Sequence, residues 1–159
     1  MGDRGEPGLS VFRSEFIYAL DEKGRVKLPP AFRELLSPKG SDTRIFLLRD
    51  VEPCIGIYPE AEYALLEAKV SRLDMGVMAN RKLRRRFVSS VAECSVDAQG
   101  RILLPPSLME YAQLVKSGPA LFAGFGNYVQ LWNKSLYEDD IKDAPDMRSD
   151  GPHQLELIS

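Results

Sequence analysis

An aspartate and an arginine four residues apart occur together twice in the 159-residue sequence. Asp21 and Arg25 lie in DEKGRVKLPP, and Asp97 and Arg101 lie in DAQGRILLPP, at a constant offset of 76. A guanidinium group can donate paired hydrogen bonds to a guanine edge or to a phosphate. A neighbouring carboxylate can hold that group in place. The repeated arginine therefore indicates a functional surface, while an acid–base pair formed by the two aspartates is a weaker alternative.

The residues between aspartate and arginine are typical of a tight turn. An aspartate can accept a hydrogen bond from the backbone two residues on. Gly24 and Gly100 occupy the position where the bend requires positive φ, which glycine adopts without a steric cost. We expect both to be turn-forming residues, each followed by an arginine at the start of a strand. A well-made hairpin with an incidentally exposed arginine is the alternative, and the second copy of the arginine weakens it.

The sequence lacks the residues that most catalytic and metal sites need. His153 is the only histidine, and Cys54 and Cys94 are forty residues apart without a CxxC pair. A histidine-based nucleophile or a zinc site would need more ligands inside the fold. The Gly-Phe-Gly at 124–126 lacks the third glycine of a dinucleotide loop and predicts a hairpin turn. We expect no cofactor, no metal and no enzymatic activity, with both cysteines reduced and buried.

The charge of the chain is unevenly distributed. The formal net charge is −2, yet residues 138–159 hold seven acids and two bases, and residues 11–137 hold 18 bases and 14 acids. A mildly basic body can bind nucleic acid although the whole chain is acidic. No apolar stretch is long enough to span a membrane, and the N-terminus has no hydrophobic signal core.

The resemblance between the halves extends beyond the motif. AFRELL (31–36) and SLMEYAQL (107–114) both predict short helices, which the preceding prolines can start. The apolar runs at 45–59 and 120–133 each contain a turn and end near an aromatic residue, as a β-hairpin does. Each half is therefore predicted to be strand, turn, strand, short helix and hairpin.

Two helices are predicted between the halves. Helix 60–73 has an apolar stripe at helical spacing: Tyr63, Leu66, Val70 and Leu73. Segment 79–91 has a similar stripe: Ala79, Leu83, Phe87 and Val91. Its other face is basic and contains Arg81, Lys82, Arg84, Arg85 and Arg86. A solvated face paired with acids of the first helix is one interpretation, and a surface for phosphate or a second subunit is the other.

We predict one domain over residues 11–137. Repeats at 11–59 and 92–133 are joined by helices at 60–91, because a half of about 60 residues buries too little surface alone. A leader at 1–10 precedes the domain. A mostly disordered acidic tail at 138–159 follows it.

The chain resembles the MraZ family over residues 11–137. The resemblance rests on LDEKGRVKLPPAFRE, DAQGRILLPP, IYP before a helix, the basic RKLRRRF helix and LWN. The family opens on a short FRG-type strand, and here VFRSEF has Ser14 in the glycine position. The resemblance implies a mainly β, α+β fold: a double-split β-barrel of two pseudo-symmetric AbrB-like swapped-hairpin halves, with a central helical pair.

The resemblance also implies a function. MraZ proteins are sequence-specific transcriptional regulators of the cytoplasm and nucleoid. They bind short direct repeats of double-stranded DNA upstream of the division and cell-wall gene cluster, in rings of about eight or more subunits. Arg25 and Arg101 are then expected to contact DNA, and Lys23, Lys27 and Arg13 to contact phosphates on the same face. Asp21 and Asp97 orient the turns. Secondary candidates for DNA contact are Arg81, Arg84, Arg85 and Arg86.

Two further functions remain open from the sequence. A ring could bind an acidic protein partner through its basic helix and have no regulatory role. An antitoxin-like dimer of the same fold could neutralise a toxin through its tail, although here both halves of the domain lie in one chain.

Overall fold

The computed structural model describes residues 12–145. The predicted leader and the tail from residue 146 on, including His153, lie outside this range. The strands are β1 (Glu15–Ala19), β2 (Arg25–Lys27), β3 (Ile45–Arg49), β4 (Ile55–Pro59), β5 (Ala92–Cys94), β6 (Arg101–Leu103), β7 (Pro119–Gly124) and β8 (Val129–Asn133). The α-helices are α1 (Pro30–Leu36), α2 (Glu60–Ser71), α3 (Met78–Ser90), α4 (Pro106–Tyr111) and α5 (Lys134–Ile141). None of these helices is both long enough and apolar enough to span a membrane.

The predicted order of elements is confirmed in both halves. The first half contains β1, β2, α1, β3 and β4, and the second contains β5, β6, α4, β7 and β8. Helices α1 and α4 begin at Pro30 and Pro106, where a missing N–H costs nothing because it would have no helical acceptor. The Gly-Phe-Gly segment lies at the predicted hairpin turn between β7 and β8, with φ of +84° at Gly126.

The two halves exchange strands. The six-stranded sheet has the order β1-β7-β8-β4-β3-β5, and all its pairs are antiparallel. Strand β1 of the first half pairs with β7 of the second, and β5 of the second half pairs with β3 of the first. Each hairpin is thus extended by a strand from the other repeat, so neither half is complete alone.

A separate two-stranded ribbon joins the arginine turns. Strands β2 and β6 are antiparallel, with Val26 opposite Ile102. These two residues are equivalent under the 76-residue offset, so the local twofold axis relating the repeats passes through this pair. Leu28 N–H donates to the Gly100 carbonyl and Leu104 N–H to the Gly24 carbonyl, both at 3.0 Å, which extends the ribbon symmetrically.

The ribbon packs against one face of the six-stranded sheet. Alternate residues of a strand point to opposite faces. The ribbon-side core contains Ile45, Leu47, Ile55, Ile57, Phe122 and Leu131 from the sheet and Val26 and Ile102 from the ribbon. Phe32 of α1 contributes edge-to-face contacts with Phe12 and Phe16. This core is the largest apolar cluster in residues 12–145, and both repeats contribute to it.

Helices α2, α3 and α5 cover the opposite face. Phe87 of α3 and Tyr63 of α2 cluster with Phe46 and Tyr58, whose side chains point away from the ribbon. The Phe46 and Tyr63 rings stack at 4.0 Å. Near the other end of the sheet, Tyr137 of α5 packs edge-on against Trp132.

The predicted apolar stripes of α2 and α3 are only partly correct. Tyr63 and Phe87 are buried, but Ala79 and Leu83 are exposed. The buried residues of α3, Phe87 and Ser90, both lie in its C-terminal half, so the apolar residues of the first turns have no core to pack against.

The fold class is α+β, as predicted, but the emphasis on β structure is wrong, because more of residues 12–145 lie in helices than in strands. The six-stranded sheet is open, with β1 and β5 at its edges. The double-split barrel therefore stays a prediction. Helix α5 also crosses the predicted boundary at residue 138.

Ser14 has the backbone conformation of a glycine. Its φ is +79°, in the region where an L side chain meets the backbone. The Ser14 carbonyl accepts a hydrogen bond from Gly124 N–H at 2.9 Å, which fixes this bend where β1 begins. The position therefore favours glycine for a steric reason.

We predict that Ser14→Gly raises the free energy of unfolding by about 0.5–1 kcal/mol, because relief of strain exceeds the added entropy of the unfolded chain. Urea denaturation measures the change. Ser41→Gly, at an exposed position in the short 3₁₀ helix Gly40–Asp42, is the control and should give no gain. Destabilisation by Ser14→Gly would show that the bend is not strained.

We predict that Ile102→Ala lowers the free energy of unfolding by about 2–5 kcal/mol, because it leaves a cavity at the contact between the repeats. The neighbouring Leu103→Ala should cost about 0.5 kcal/mol or less, because that side chain is 56% exposed. Equal losses for the two variants would contradict the assignment of ribbon faces.

Candidate nucleic-acid interface

Each arginine turn is closed by its aspartate. Asp21 Oδ1 accepts hydrogen bonds from the N–H groups of Lys23 at 2.9 Å and Arg25 at 2.8 Å. Asp21 N–H donates to the Arg25 carbonyl at 2.9 Å. Gly24 has φ of +83°, as the turn requires. The four-residue spacing of aspartate and arginine is therefore what allows one carboxylate to close the turn.

The second turn repeats this geometry. Asp97 Oδ1 accepts from the N–H groups of Gln99 and Arg101, each at 2.9 Å, and Gly100 has φ of +81°. A Cβ on Gly100 would lie 2.6 Å from Arg33 Nη1, the end of a flexible side chain that can move aside, so the positive φ is what restricts this position.

The second oxygen of each aspartate holds the arginine side chain. Asp21 Oδ2 accepts from Arg25 Nε at 2.7 Å, and Asp97 Oδ2 accepts from Arg101 Nε at 2.9 Å. Bonding through Nε leaves the outer edge of each guanidinium group directed away from its aspartate. The arginine side chains are 30% and 28% exposed. They are therefore held in one orientation without being sealed from solvent.

The two turns also contact each other. Arg101 Nη1 lies 3.8 Å from Asp21 Oδ2, an ion pair between the repeats. Arg101 Nη2 donates to Gln99 Oε1 at 3.3 Å, whereas the first repeat has Lys23 at that position. Among residues 12–145, the Nη groups of Arg25 have no such acceptor. Arg25 is thus the more available of the two arginines.

The outer face of the ribbon carries Arg25, Lys27 and Arg101. Their side chains alternate with the buried Val26 and Ile102. Lys27 is directly opposite Arg101 in the ribbon. Lys23 is exposed in the first turn. The structure therefore brings together four of the predicted cations on one surface, which we call the ribbon face.

Hydrogen bonds, chiefly from backbone N–H groups, lower the pKa of both turn aspartates. The N–H of Arg25 is the main cause for Asp21, whose pKa falls to about 2. The corresponding N–H of Arg101 lowers the pKa of Asp97. Both carboxylates stay ionised at neutral pH, which suits a positioning role and not that of a general acid.

Comparison with known proteins gives the family. The profile of a family described as "MraZ protein, putative antitoxin-like" matches residues 11–86 and again residues 87–154. The chain belongs to the MraZ family. A curated relative from Desulfitobacterium hafniense (strain Y51), named "Transcriptional regulator MraZ", is 34% identical over 91% of this chain and 96% of its own length. Relatives of the same name from Syntrophobacter fumaroxidans (36% identical, 85% of this chain and 87% of the relative) and Serratia proteamaculans (32%, 86% and 88%) are also similar.

Other cations predicted from the MraZ resemblance lie elsewhere. Arg13 follows Phe12, which forms a bridge with Gly126 at the turn between β7 and β8. Strand β1 separates Arg13 from the first arginine turn, and five extended residues cover roughly 16 Å. The structure therefore does not bring Arg13 onto the ribbon face.

The basic helix α3 is also separate from the ribbon face. Its Phe87 packs on the sheet face opposite the ribbon-side core. Arg86 donates to the Tyr111 hydroxyl at 3.2 Å and lies over its ring. No ion pair between the α3 cations and the acids of α2 is present in the described part of the chain. The predicted pairing with the first helix is therefore wrong.

A buried polar cluster was missed by the sequence analysis. Asp50 Oδ2 accepts hydrogen bonds from the Tyr128 hydroxyl at 2.6 Å and the Gln130 amide at 2.8 Å. Potential ligand atoms of Asp50, Glu52 and Cys54 lie within 4.8 Å of one another. Burial and the nearby Asp50 raise the pKa of the Cys54 thiol. The Asp50 carboxylate already accepts these hydrogen bonds. The cluster therefore links β8 to the turn after β3. The local sequence at 50–54 could not predict this contact, because the partners Tyr128 and Gln130 are far away along the chain.

The cysteines are both free, as predicted, but only Cys54 is buried. Cys94 is only partly buried because it lies in β5, an edge strand that pairs with β3 on one side and is open on the other. Burial still raises the pKa of its thiol to about 12.

We predict that acid unfolding depends on Asp21. Its folded-state pKa lies below the ordinary value, so the ionised form stabilises the fold above about pH 4. This contribution is lost as the pH falls through about 2. Asp21→Asn should therefore flatten the fall in melting temperature between pH 4 and 2. The control is Glu22→Gln, an exposed acid in the same turn. An equal acid dependence in wild type and Asp21→Asn would contradict the geometry.

Proposed function

We propose that this protein is a sequence-specific DNA-binding transcriptional regulator that acts through the ribbon face. Curated relatives across most of the chain carry the name of a transcriptional regulator. The observation that carries the proposal is the pairing of Arg25 and Arg101 on one exposed ribbon, each with its Nε held by an aspartate. A non-enzymatic role agrees with the ionised state of both aspartates.

The shape of the ribbon supports binding in the major groove. A two-stranded antiparallel ribbon fits into the major groove of B-DNA, where base pairs can be distinguished by their donor and acceptor patterns. An arginine whose orientation is fixed loses less entropy when it binds a base edge. Arg25 is the principal base contact in this proposal, and Arg101 is its pseudo-symmetric counterpart.

The remaining cations have supporting roles. Lys23 and Lys27 contact phosphates beside the groove, and such contacts supply affinity and register but not sequence discrimination. Asp21 and Asp97 position the arginines without touching DNA. Arg13 and the α3 cations lie away from the ribbon face, so they belong to other surfaces of the subunit.

The assembly and target follow the MraZ resemblance. The protein forms a ring of about eight or more subunits and binds short direct repeats in its own promoter region, upstream of the division and cell-wall gene cluster. A ring of head-to-tail contacts presents the same face in the same sense from every subunit, which suits direct repeats. Several weak contacts then add through effective concentration. The protein acts in the cytoplasm, on the nucleoid.

We predict that Arg25→Ala removes discrimination between operator and unrelated DNA. Loss of one bidentate base contact costs about 1–3 kcal/mol at each site, and the ring multiplies the effect. Fluorescence anisotropy with operator and scrambled duplexes measures it. Lys27→Ala should instead weaken both duplexes equally and reduce the salt dependence.

The control is Arg72→Ala, which removes an exposed cation on the helical side of the sheet and should change neither duplex. Light scattering should show that Arg25→Ala keeps the wild-type mass. Binding of wild type to an acidic protein and to neither duplex would favour the alternative of a protein partner for the basic helix.

A further inference from the structure

The outer side of α3 carries an open groove with apolar and cationic groups. Val88 is 57% exposed, and the partly buried Met75 lies beside it. Three arginines complete the lining of a space of about 410 Å³: Arg81, Arg84 and Arg85. None of these guanidinium groups forms an ion pair within residues 12–145. Three uncompensated charges around apolar side chains are suited to an apolar residue flanked by carboxylates.

Such a segment lies at the end of α5. Ile141 is 43% exposed within the sequence DDIKD. The acids around it are Asp139, Asp140 and Asp143. Lys142 pairs with Asp139 at 3.5 Å, so one acid is partly neutralised and the others have no ion pair among the described residues. Ile17 of the edge strand β1 is 51% exposed on the same face of the sheet and extends the apolar surface.

The two surfaces lie toward opposite ends of one sheet face. In the strand order β1-β7-β8-β4-β3-β5, α3 packs on β3 and α5 packs on β7 and β8. Both helices lie on the face away from the ribbon. Within one subunit, the acidic segment is therefore placed away from the groove. In a second copy set side by side with the first, the end of α5 can approach α3 of its neighbour.

We propose that the α3 groove binds the Ile141 segment of a second copy of this chain. Ile141 fills the apolar part of the groove, and Asp140 and Asp143 pair with Arg84 and Arg85. This contact deepens the ring assembly proposed above, because it names the two surfaces that meet. It assigns the α3 cations to the subunit contact and leaves DNA to the ribbon face.

The proposed contact is heterologous, since different surfaces meet. Such contacts close into a ring or continue as a filament, and each copy uses both of its surfaces. Because the contact lies on the helical side of the sheet, every ribbon face stays uncovered. Rows of arginine turns then face in one direction, which is the arrangement that direct repeats need.

Charge exchange tests the contact. The groove variant is Arg84→Glu with Arg85→Glu, and the segment variant is Asp140→Lys with Asp143→Lys. Each variant alone should have a smaller mass than wild type by size-exclusion chromatography with light scattering. An equimolar mixture of the two should regain large assemblies, because glutamates of one variant meet lysines of the other. Recovery on mixing also shows that both variants are folded.

A matched control changes the same number of charges elsewhere. Lys69→Glu with Lys82→Glu alters exposed cations of α2 and α3 that do not line the groove, and it should keep the wild-type mass. If the charge variants fail to fold by circular dichroism, the milder Ile141→Ser should still reduce the mass. Wild-type mass in the folded groove variant, no recovery on mixing folded variants, or a monomeric wild type would overturn the proposal.

The measurement is independent of DNA recognition. A wild-type protein that assembles through this contact but binds no operator would leave the inference standing and refute the proposed function. A protein that binds operator through Arg25 but keeps its mass in the groove variant would refute the inference alone.

Discussion

The contact of Val26 with Ile102 across the ribbon is the constraint on which the rest of the structure depends. Each repeat has too few apolar residues to form a core alone, and the ribbon-side core contains side chains from both. The same contact places Arg25 and Arg101 on a single surface. The hydrophobic burial that completes the fold therefore also assembles the candidate site, and neither repeat can present it separately.

Within the site, each aspartate has two separate tasks. One oxygen of Asp21 closes the turn through backbone N–H groups, and the other holds Arg25 through Nε. The backbone bonds are the principal reason why the pKa of this carboxyl is low. The turn and the arginine orientation are consequently stabilised by the same charge. The second repeat has Gln99 where the first has Lys23, and Gln99 gives Arg101 an additional acceptor. The two arginines are therefore alike in position but differ in how many of their N–H groups remain for a ligand.

The six-stranded sheet divides the surface of the molecule. Its ribbon side carries the arginine turns, and its other side carries the basic helix α3 and the acidic end of α5. Positive charge is therefore distributed over two surfaces with different neighbours. One surface is a two-stranded ribbon with the arginine turns, and the other is a groove with apolar groups. A single sum of charge over the chain cannot express this difference.

The sequence by itself determined the local elements. The turns at Gly24 and Gly100, the proline-started helices and both hairpins follow from φ preferences, hydrogen bonds within four residues and periodicity, so a window of a few residues contains the cause. Only the tertiary structure decided which strands pair, that α3 and the arginine turns lie on opposite faces, that Ala79 and Leu83 remain exposed, and that Asp50 meets Tyr128. These outcomes depend on apolar burial summed over segments far apart in sequence, and no local pattern records that sum.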